Sequence, residues 1–169
     1  YIRKFAGFQD GHNKDVLEVG VGMGADHLEW AKSGPKSLSG IDLTERAISI
    51  TNERLEIEGL HSDLRSADVE QLPYINEGFD IVYSWRVLHH TPDTRKAVLE
   101  VLRVLRSGGI ARIMLYQKYS LVGLMLWLRY GLLSGRIGLR LSQVYSRYLE
   151  SPGTQAFTTK EIRDMFSQF

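Results

Sequence analysis

No cysteine occurs in the 169 residues. Its absence excludes a disulfide scaffold, a Cys-ligated zinc site, an iron–sulfur cluster and a cysteine nucleophile. It is compatible with a reducing, cytoplasmic location, and no metal site is expected. Acidic side chains are missing from one long stretch. Between Val101 and Leu149 there is no Asp or Glu, whereas Arg103, Arg106, Arg112, Lys118, Arg129, Arg136, Arg140 and Arg147 fall there. The formal net charge of +1 therefore hides a basic segment in an otherwise acidic chain. Such a segment suits either contact with something anionic or a solvated helix face. Long apolar runs are lacking too, since the run Leu121–Leu128 falls well short of the ~20 residues of a membrane-spanning helix. No signal peptide is visible, and a start at Tyr1 instead of Met raises the expectation that the chain is a piece of a longer one.

What is present reads as one globular domain. Hydrophobic residues at 43% and charged residues at 24% sit near the averages of folded domains, and the length suits a single unit over 1–169. Asp15 to Val19 is a short apolar strand running into a glycine cluster. A helix is expected over Ala25–Ser33, stopped by Gly34-Pro35, and a second strand over Ser37–Ile41 that ends at Asp42. Thr44 caps a helix that stops at Gly59. Weak and strong strands follow at Leu64–Ala67 and Phe79–Ser84. A helix begins at Thr91-Pro92-Asp93 and ends at Ser107-Gly108-Gly109, and a fifth strand runs over Ile110–Tyr116. This alternation predicts right-handed βαβ units, hence an α/β fold with a parallel sheet between two helical layers. After Tyr116 it stops. A helical hairpin is expected around Leu121–Leu133 and Leu139–Leu149, with Arg136, Arg140 and Arg147 in line on its second half. A last helix opens with the capping box Thr158–Glu161 and carries Ile162, Met165, Phe166 and Phe169 on one stripe.

In open α/β sheets, ligands bind beyond the carboxyl ends of the strands. The first strand ends in Glu18-Val19-Gly20-Val21-Gly22-Met23-Gly24, where bare backbone lets a ligand approach. Alone, this run is ambiguous: Gly20-x-Gly22-x-x-Ala25 also fits the dinucleotide-binding fingerprint, with Asp42 as its ribose-binding acid. Glu18 just before the loop favours a ligand presenting an ammonium over a pyrophosphate. Strands two and three each end in an acid, Asp42 and Asp68. A diol and an exocyclic amine are suitable donors for these two carboxylates. Ammonium, diol and amine in that order describe S-adenosylmethionine.

The successive segments Val16–Gly24, Gly40–Asp42, Ala67–Pro73, Phe79–Ser84, Val87–Asp93 and Leu105–Gly109 resemble the motifs of class I, Rossmann-like S-adenosylmethionine-dependent methyltransferases. The likeness is greatest to the small-molecule branch that includes quinone C-methyltransferases, and it extends over about Asp15 to Tyr116. The resemblance implies that Glu18, Gly20, Gly22 and Gly24 hold the methionine part, Asp42 the ribose hydroxyls, and Asp68 with the Val69 amide the adenine. Ser84 and Trp85 would line the wall beside the sulfonium. His89 and His90 are weak candidates for a general base, since imidazole titrates near neutrality. The implied partner is a small, lipophilic methyl acceptor. Nucleic acid is not expected, because Ser84-Trp85-Arg86-Val87 lacks the Asn/Asp-Pro-Pro-aromatic motif of base methyltransferases. Two other functions stay open: a non-catalytic module that binds S-adenosylmethionine, and a dinucleotide-dependent oxidoreductase.

The sequence departs from the family pattern in two places. The family sheet has seven strands in the order 3-2-1-4-5-7-6, and only five are found here, so the last two are expected to be missing. Residues 117–153 form an insertion, expected as a lid over a greasy acceptor. Its basic and apolar faces raise the further expectation of peripheral membrane contact through 121–148.

Overall fold

The computed structural model describes residues 2–167. Five strands, β1 (Asp15–Val19), β2 (Ser37–Asp42), β3 (Asp63–Ser66), β4 (Phe79–Ser84) and β5 (Leu105–Ile113), form one sheet in the order β3-β2-β1-β4-β5. Every pairing is parallel. Order reverses at β1, so the carboxyl ends of β1, β2 and β4 open onto one crevice. Among the described residues no strand pairs beyond β5.

Each strand of a two-sided sheet sends alternate residues into opposite layers. Leu17 and Val19 of β1 pack with Ile41, Val82 and the buried face of α4 (Thr94–Val104), namely Ala97, Val98, Val101 and Val104. Val16 faces the other way, with Trp30, Leu38, Leu55 and Tyr83. Trp30 belongs to α2 (Ala25–Lys32) and Leu55 to α3 (Glu45–Ile57). A short α1 (Ile2–Ala6) covers the same side through Phe5 and Ala6. Thr44 caps α3 by accepting from the Ala47 amide, and Gly59 follows α3 at φ +67°, a conformation that glycine adopts without penalty.

Two sequence expectations about this half need correction. The helix before β5 ends at Val104, not at Gly108-Gly109, and β5 begins at Leu105. Leu105 pairs with Phe79 while Ile110 pairs with Ile81, so Arg106–Gly109 loop out of the register. Gly108 at φ +76° supports that loop, and what looked like a helix stop is an irregularity inside the strand. The helix expected from Thr91 starts at Thr94, with Asp93 accepting from the Lys96 amide as its cap.

The insertion is a broken hairpin. Its first arm, α5 (Leu121–Trp127), runs into a π-turn over Leu128–Leu132. Its second arm is α6 (Leu141–Tyr148). Tyr145 of α6 is buried, and its hydroxyl donates to the Gln117 and Lys118 carbonyls. Gly123 of α5 lies so close to that hydroxyl that a Cβ would meet it at 2.1 Å. The arginines do not line up as expected. Only Arg147 lies within α6, Arg140 is its N-terminal cap, and Arg136 sits in the turn before it, where it donates to Tyr148. The final helix α7 (Thr159–Met165) opens with the reciprocal Thr158–Glu161 bonds and buries Met165 in the main core. Phe169, expected on that helix's stripe, lies outside the described residues.

Candidate functional site

The loop after β1 is stitched to the end of β2. Gly20 and Val21 amides both donate to the Ile41 carbonyl, and the Gly22 amide donates to Asp42 Oδ2 at 3.0 Å. Its three glycines serve different needs. At Gly20 a Cβ would meet Val87 Cγ2 at 2.1 Å, and at Gly24 it would meet Thr51 at 2.9 Å. At Gly22 the same Cβ meets nothing within 4 Å, although φ is +53°. Gly20 and Gly24 are therefore required by packing, whereas Gly22 leaves open space over its backbone.

Gly20, Asp42, Asp68, Val69, Arg86 and His90 are among the residues lining one cleft of about 350 Å³ at the strand ends, within the size range of small-molecule sites. Asp42 Oδ1 accepts from the Thr44 amide and hydroxyl, each at 3.0 Å. A carboxylate offers about four acceptor positions, so the Gly22 and Thr44 bonds leave room for a ligand hydroxyl. Asp68 spends Oδ1 on the Glu70 amide, and Oδ2 has no partner among the described residues. Val69 starts the short 3-10 turn that follows. Acceptors at the ends of β2 and β3, flanking an apolar cleft, fit a nucleoside with a ribose diol and an exocyclic amine.

Other expected site residues lie outside the set lining this cleft. Glu18 shares β1's Val16 face and is only 3% exposed. Its Oε2 lies 2.9 Å from His27 Nδ1, and His27 Nε2 lies 2.8 Å from Ser62 Oγ, which donates to the Leu38 carbonyl. Burial, with the charge of Asp26, pushes the Glu18 carboxyl well above its usual range, and burial holds His27 at about 4. Ser62 spends its hydrogen on Leu38, so His27 Nε2–H donates to Ser62 and the Glu18 acid donates to Nδ1. Sequence reasoning missed His27. The available signal was the period-2 parity that puts Glu18 under α2.

Ser84 is fully buried and donates to the Val19 carbonyl. Trp85 packs its ring 5.1 Å from that of Phe5. His89 is buried, held at about 4 mainly by burial with the neighbouring His90 adding to it. The end of the insertion closes on this turn. The Gln155 amide donates to the His89 carbonyl, its side chain donates to the Thr91 carbonyl, and Glu150 pairs with Arg86.

The profile of a methyltransferase-domain family matches residues 17–113, more than half of the chain. The chain belongs to that family. Phthiotriol/phenolphthiotriol dimycocerosates methyltransferase of Mycobacterium tuberculosis is 40% identical over 98 residues, 57% of this chain and 35% of that protein. The 27-O-demethylrifamycin SV methyltransferase of Amycolatopsis mediterranei is 30% identical over 96 residues, 56% of this chain and 35% of that protein. The match thus spans about a third of the length of these relatives. Among solved structures, YcgJ of Bacillus subtilis superposes with a TM-score of 0.74 at 21% identity, over 99% of this chain and 68% of that one. A SAM-dependent methyltransferase from Methanosarcina mazei gives 0.71 at 21%, over 93% and 79%. Both share the fold of this methyltransferase domain.

The glycine loop generates one prediction. Gly20→Ala should lower the melting temperature far more than Gly22→Ala, because only the first forces Val87 aside, while both carry the ~1–2 kcal/mol cost of a left-handed side chain. Equal shifts by thermal denaturation would refute the assigned roles. A second follows from the buried pair. Unfolded, Glu18 and His27 titrate near 4.5 and 6.5; folded, they share one proton. Stability from this pair is flat between those values. Above 6.5 the unfolded imidazole releases a proton that the folded pair retains, so stability falls as pH rises. Below 4.5 the unfolded carboxyl gains a second proton and stability falls again, down to the folded His27 value of about 4. Glu18→Gln keeps a donor to Nδ1 and removes the shared proton. The alkaline decline in urea-unfolding free energy should shrink in that variant, and an unaltered decline would show that the pair holds no such proton.

Proposed function

We infer that this domain carries out S-adenosylmethionine-dependent methyl transfer to a small, lipophilic acceptor. The observation that carries the reading is the convergence of Gly20, Asp42, Asp68 and Val69 on one cleft at the reversal point of the sheet. Family membership and the relatives' names support it. When bound, the cofactor supplies a methyl group on a sulfonium, which an acceptor displaces in line.

The chain's own contribution is placement. Asp42 would accept from the ribose hydroxyls, Asp68 from the adenine amine, with the Val69 amide beside it. The open backbone face of Gly22 would let the methionine part lie close, and Gly24, Glu18 and Ser84 would support the loop and strands from behind. Trp85, packed on Phe5, would hold the segment after β4 in place. Such placement and exclusion of water can remove about 7–11 kcal/mol of a barrier without a dedicated base. His90 has its Nδ1 near the Ser151 and Thr154 hydroxyls at 3.2 and 3.1 Å, and His89 lies outside the cleft lining, so neither is assigned as a base.

The insertion supports the lipophilic acceptor and a membrane-surface setting. Leu121, Met125, Leu133 and Ile137 are exposed by 65–82%, beside Arg129, Arg136, Arg140 and Arg147. No helix among the described residues is long and apolar enough to cross a membrane. Exposed apolar side chains and arginines in a segment with no acid between Val101 and Leu149 suit an anionic bilayer surface.

Calorimetry with S-adenosylmethionine tests the cofactor reading. Asp42→Ala should weaken binding by about ten- to a hundredfold for each charge-assisted bond lost, at about 1.5–3 kcal/mol apiece. Undiminished affinity would remove Asp42 from the site. Binding of NADH in preference, read by its fluorescence, would favour the oxidoreductase. Binding without transfer of labelled methyl to any lipophilic acceptor would favour a non-catalytic module. Co-sedimentation tests the surface. Binding to anionic and not to neutral vesicles is expected, fading with salt and lost when Arg129, Arg136, Arg140 and Arg147 become glutamine, since each contributes about 1 kcal/mol. Indifference to both vesicle types would leave the insertion as a lid.

A further inference from the structure

His89 and His90 leave the turn after β4, and Glu150 follows α6, so the three meet only because the insertion folds back. Glu150 Oε2 lies 3.3 Å from His90 Nε2 and 3.8 Å from His89 Nε2. All three candidate ligand atoms lie within 4.8 Å of one another. Tetrahedral zinc, with bonds of about 2.0–2.2 Å, holds its ligand atoms about 3.3–3.6 Å apart, so only small adjustments separate this cluster from a coordination shell.

Three further features point the same way. His89 is wholly buried; the Met114 backbone lies within reach of its ring but not in good hydrogen-bond geometry, and neither ring nitrogen has another partner among the described residues. Buried polar atoms without partners are rare in folded proteins, and a cation at Nε2 would satisfy one of them. The Ser151 and Thr154 hydroxyls at His90 Nδ1 orient the ring so that Nε2 faces Glu150, the kind of support that metal-bound imidazoles receive. Arg86 approaches the other Glu150 oxygen, Oε1, fixing the carboxylate while leaving Oε2 toward the imidazoles.

We propose that His89, His90 and Glu150 form a binding site for a divalent transition-metal cation of the zinc type. Two imidazoles and one carboxylate are ligands of borderline softness, which favours zinc, cobalt or nickel over magnesium or calcium. Three protein ligands leave a coordination position open. His90 also lines the cofactor cleft. Resting on the methyltransferase reading, the natural occupant of that position is an oxygen of the acceptor, which the cation would acidify. Arg86 opposes the cation by its charge and so limits the affinity.

The experiment is a calorimetric titration of the chelator-treated full chain with zinc chloride alone, followed by cobalt(II) and its visible absorption. One zinc per chain is expected, with cobalt giving the intense bands of a four-coordinate site. Glu150→Gln and His90→Gln should each weaken zinc at least tenfold while their melting temperatures stay near that of the parent. His12→Gln and His61→Gln, on the surface elsewhere, should leave the affinity unchanged. No stoichiometric binding, or equal binding by Glu150→Gln and His90→Gln, would overturn the site. Because zinc is titrated without cofactor, and cofactor in the presence of chelator, failure of one reading is distinguishable from failure of the other.

Discussion

The short hydrogen-bonded seam between the glycine loop and the end of β2 is the constraint on which the site depends. The Ile41 carbonyl accepts from two successive loop amides, and Asp42 takes a third from Gly22. A loop held this way cannot swing over the crevice, and the Gly24 amide closes it by donating back to the Val21 carbonyl. Asp42 also accepts from Thr44, which joins the same seam to the start of α3. One carboxylate therefore sets the positions of a loop, a strand end and a helix start. Gly20 completes the arrangement, since only a missing Cβ allows Val87 to close against it.

Closure from the other side comes from the insertion. Its hairpin arms touch each other through Tyr145 and Gly123, but the segment that follows α6 makes the contacts to the cleft rim. Glu150, Ser151, Thr154 and Gln155 together engage Arg86, His90 and the carbonyls of His89 and Thr91. The rim is thus built by two distant stretches of chain held by polar contacts, in contrast to the apolar packing beneath the sheet. Polar contacts that are partly exposed open at small cost, so access to the cleft can change while the sheet stays intact.

Most of the sheet was legible in the sequence because Val16, Leu17 and Val19 of β1 and Phe79, Ile81, Val82 and Tyr83 of β4 make short, predominantly apolar segments, and the glycine and capping residues mark their neighbours. β1, β4 and the Thr158 capping box were read to the residue. β5 was not, because Gly108-Gly109 carries the same local signal in a helix stop and in a looped-out strand, and only the pairing of Leu105 with Phe79 separates the two. The arginine row failed for a similar reason: helical spacing was extended through a segment where Leu128–Leu132 form a π-turn and Gly135 adopts φ +67°. Of the residues lining the cleft, Asp42 and Asp68 could be placed there from strand ends alone. The partners of Glu18 and of His90 could not, because His27, Ser151 and Thr154 reach them only through packing of α2 and of the insertion.

Burial also changes what Glu18 contributes to ligand choice. Read from sequence, its charge was the feature that favoured an ammonium over a pyrophosphate. Enclosed with His27, the carboxyl is driven toward its neutral form, and a neutral acid exerts little discrimination by sign. On the proposed reading, discrimination would then fall to Asp42 and Asp68, which line the cleft with Arg86 opposite in sign. A pyrophosphate along the glycine loop would still approach Asp42, whose Oδ2 already occupies the Gly22 amide that would otherwise donate to a phosphate oxygen. The loop therefore disfavours an anion less by a buried charge behind it than by the carboxylate that has taken its donor.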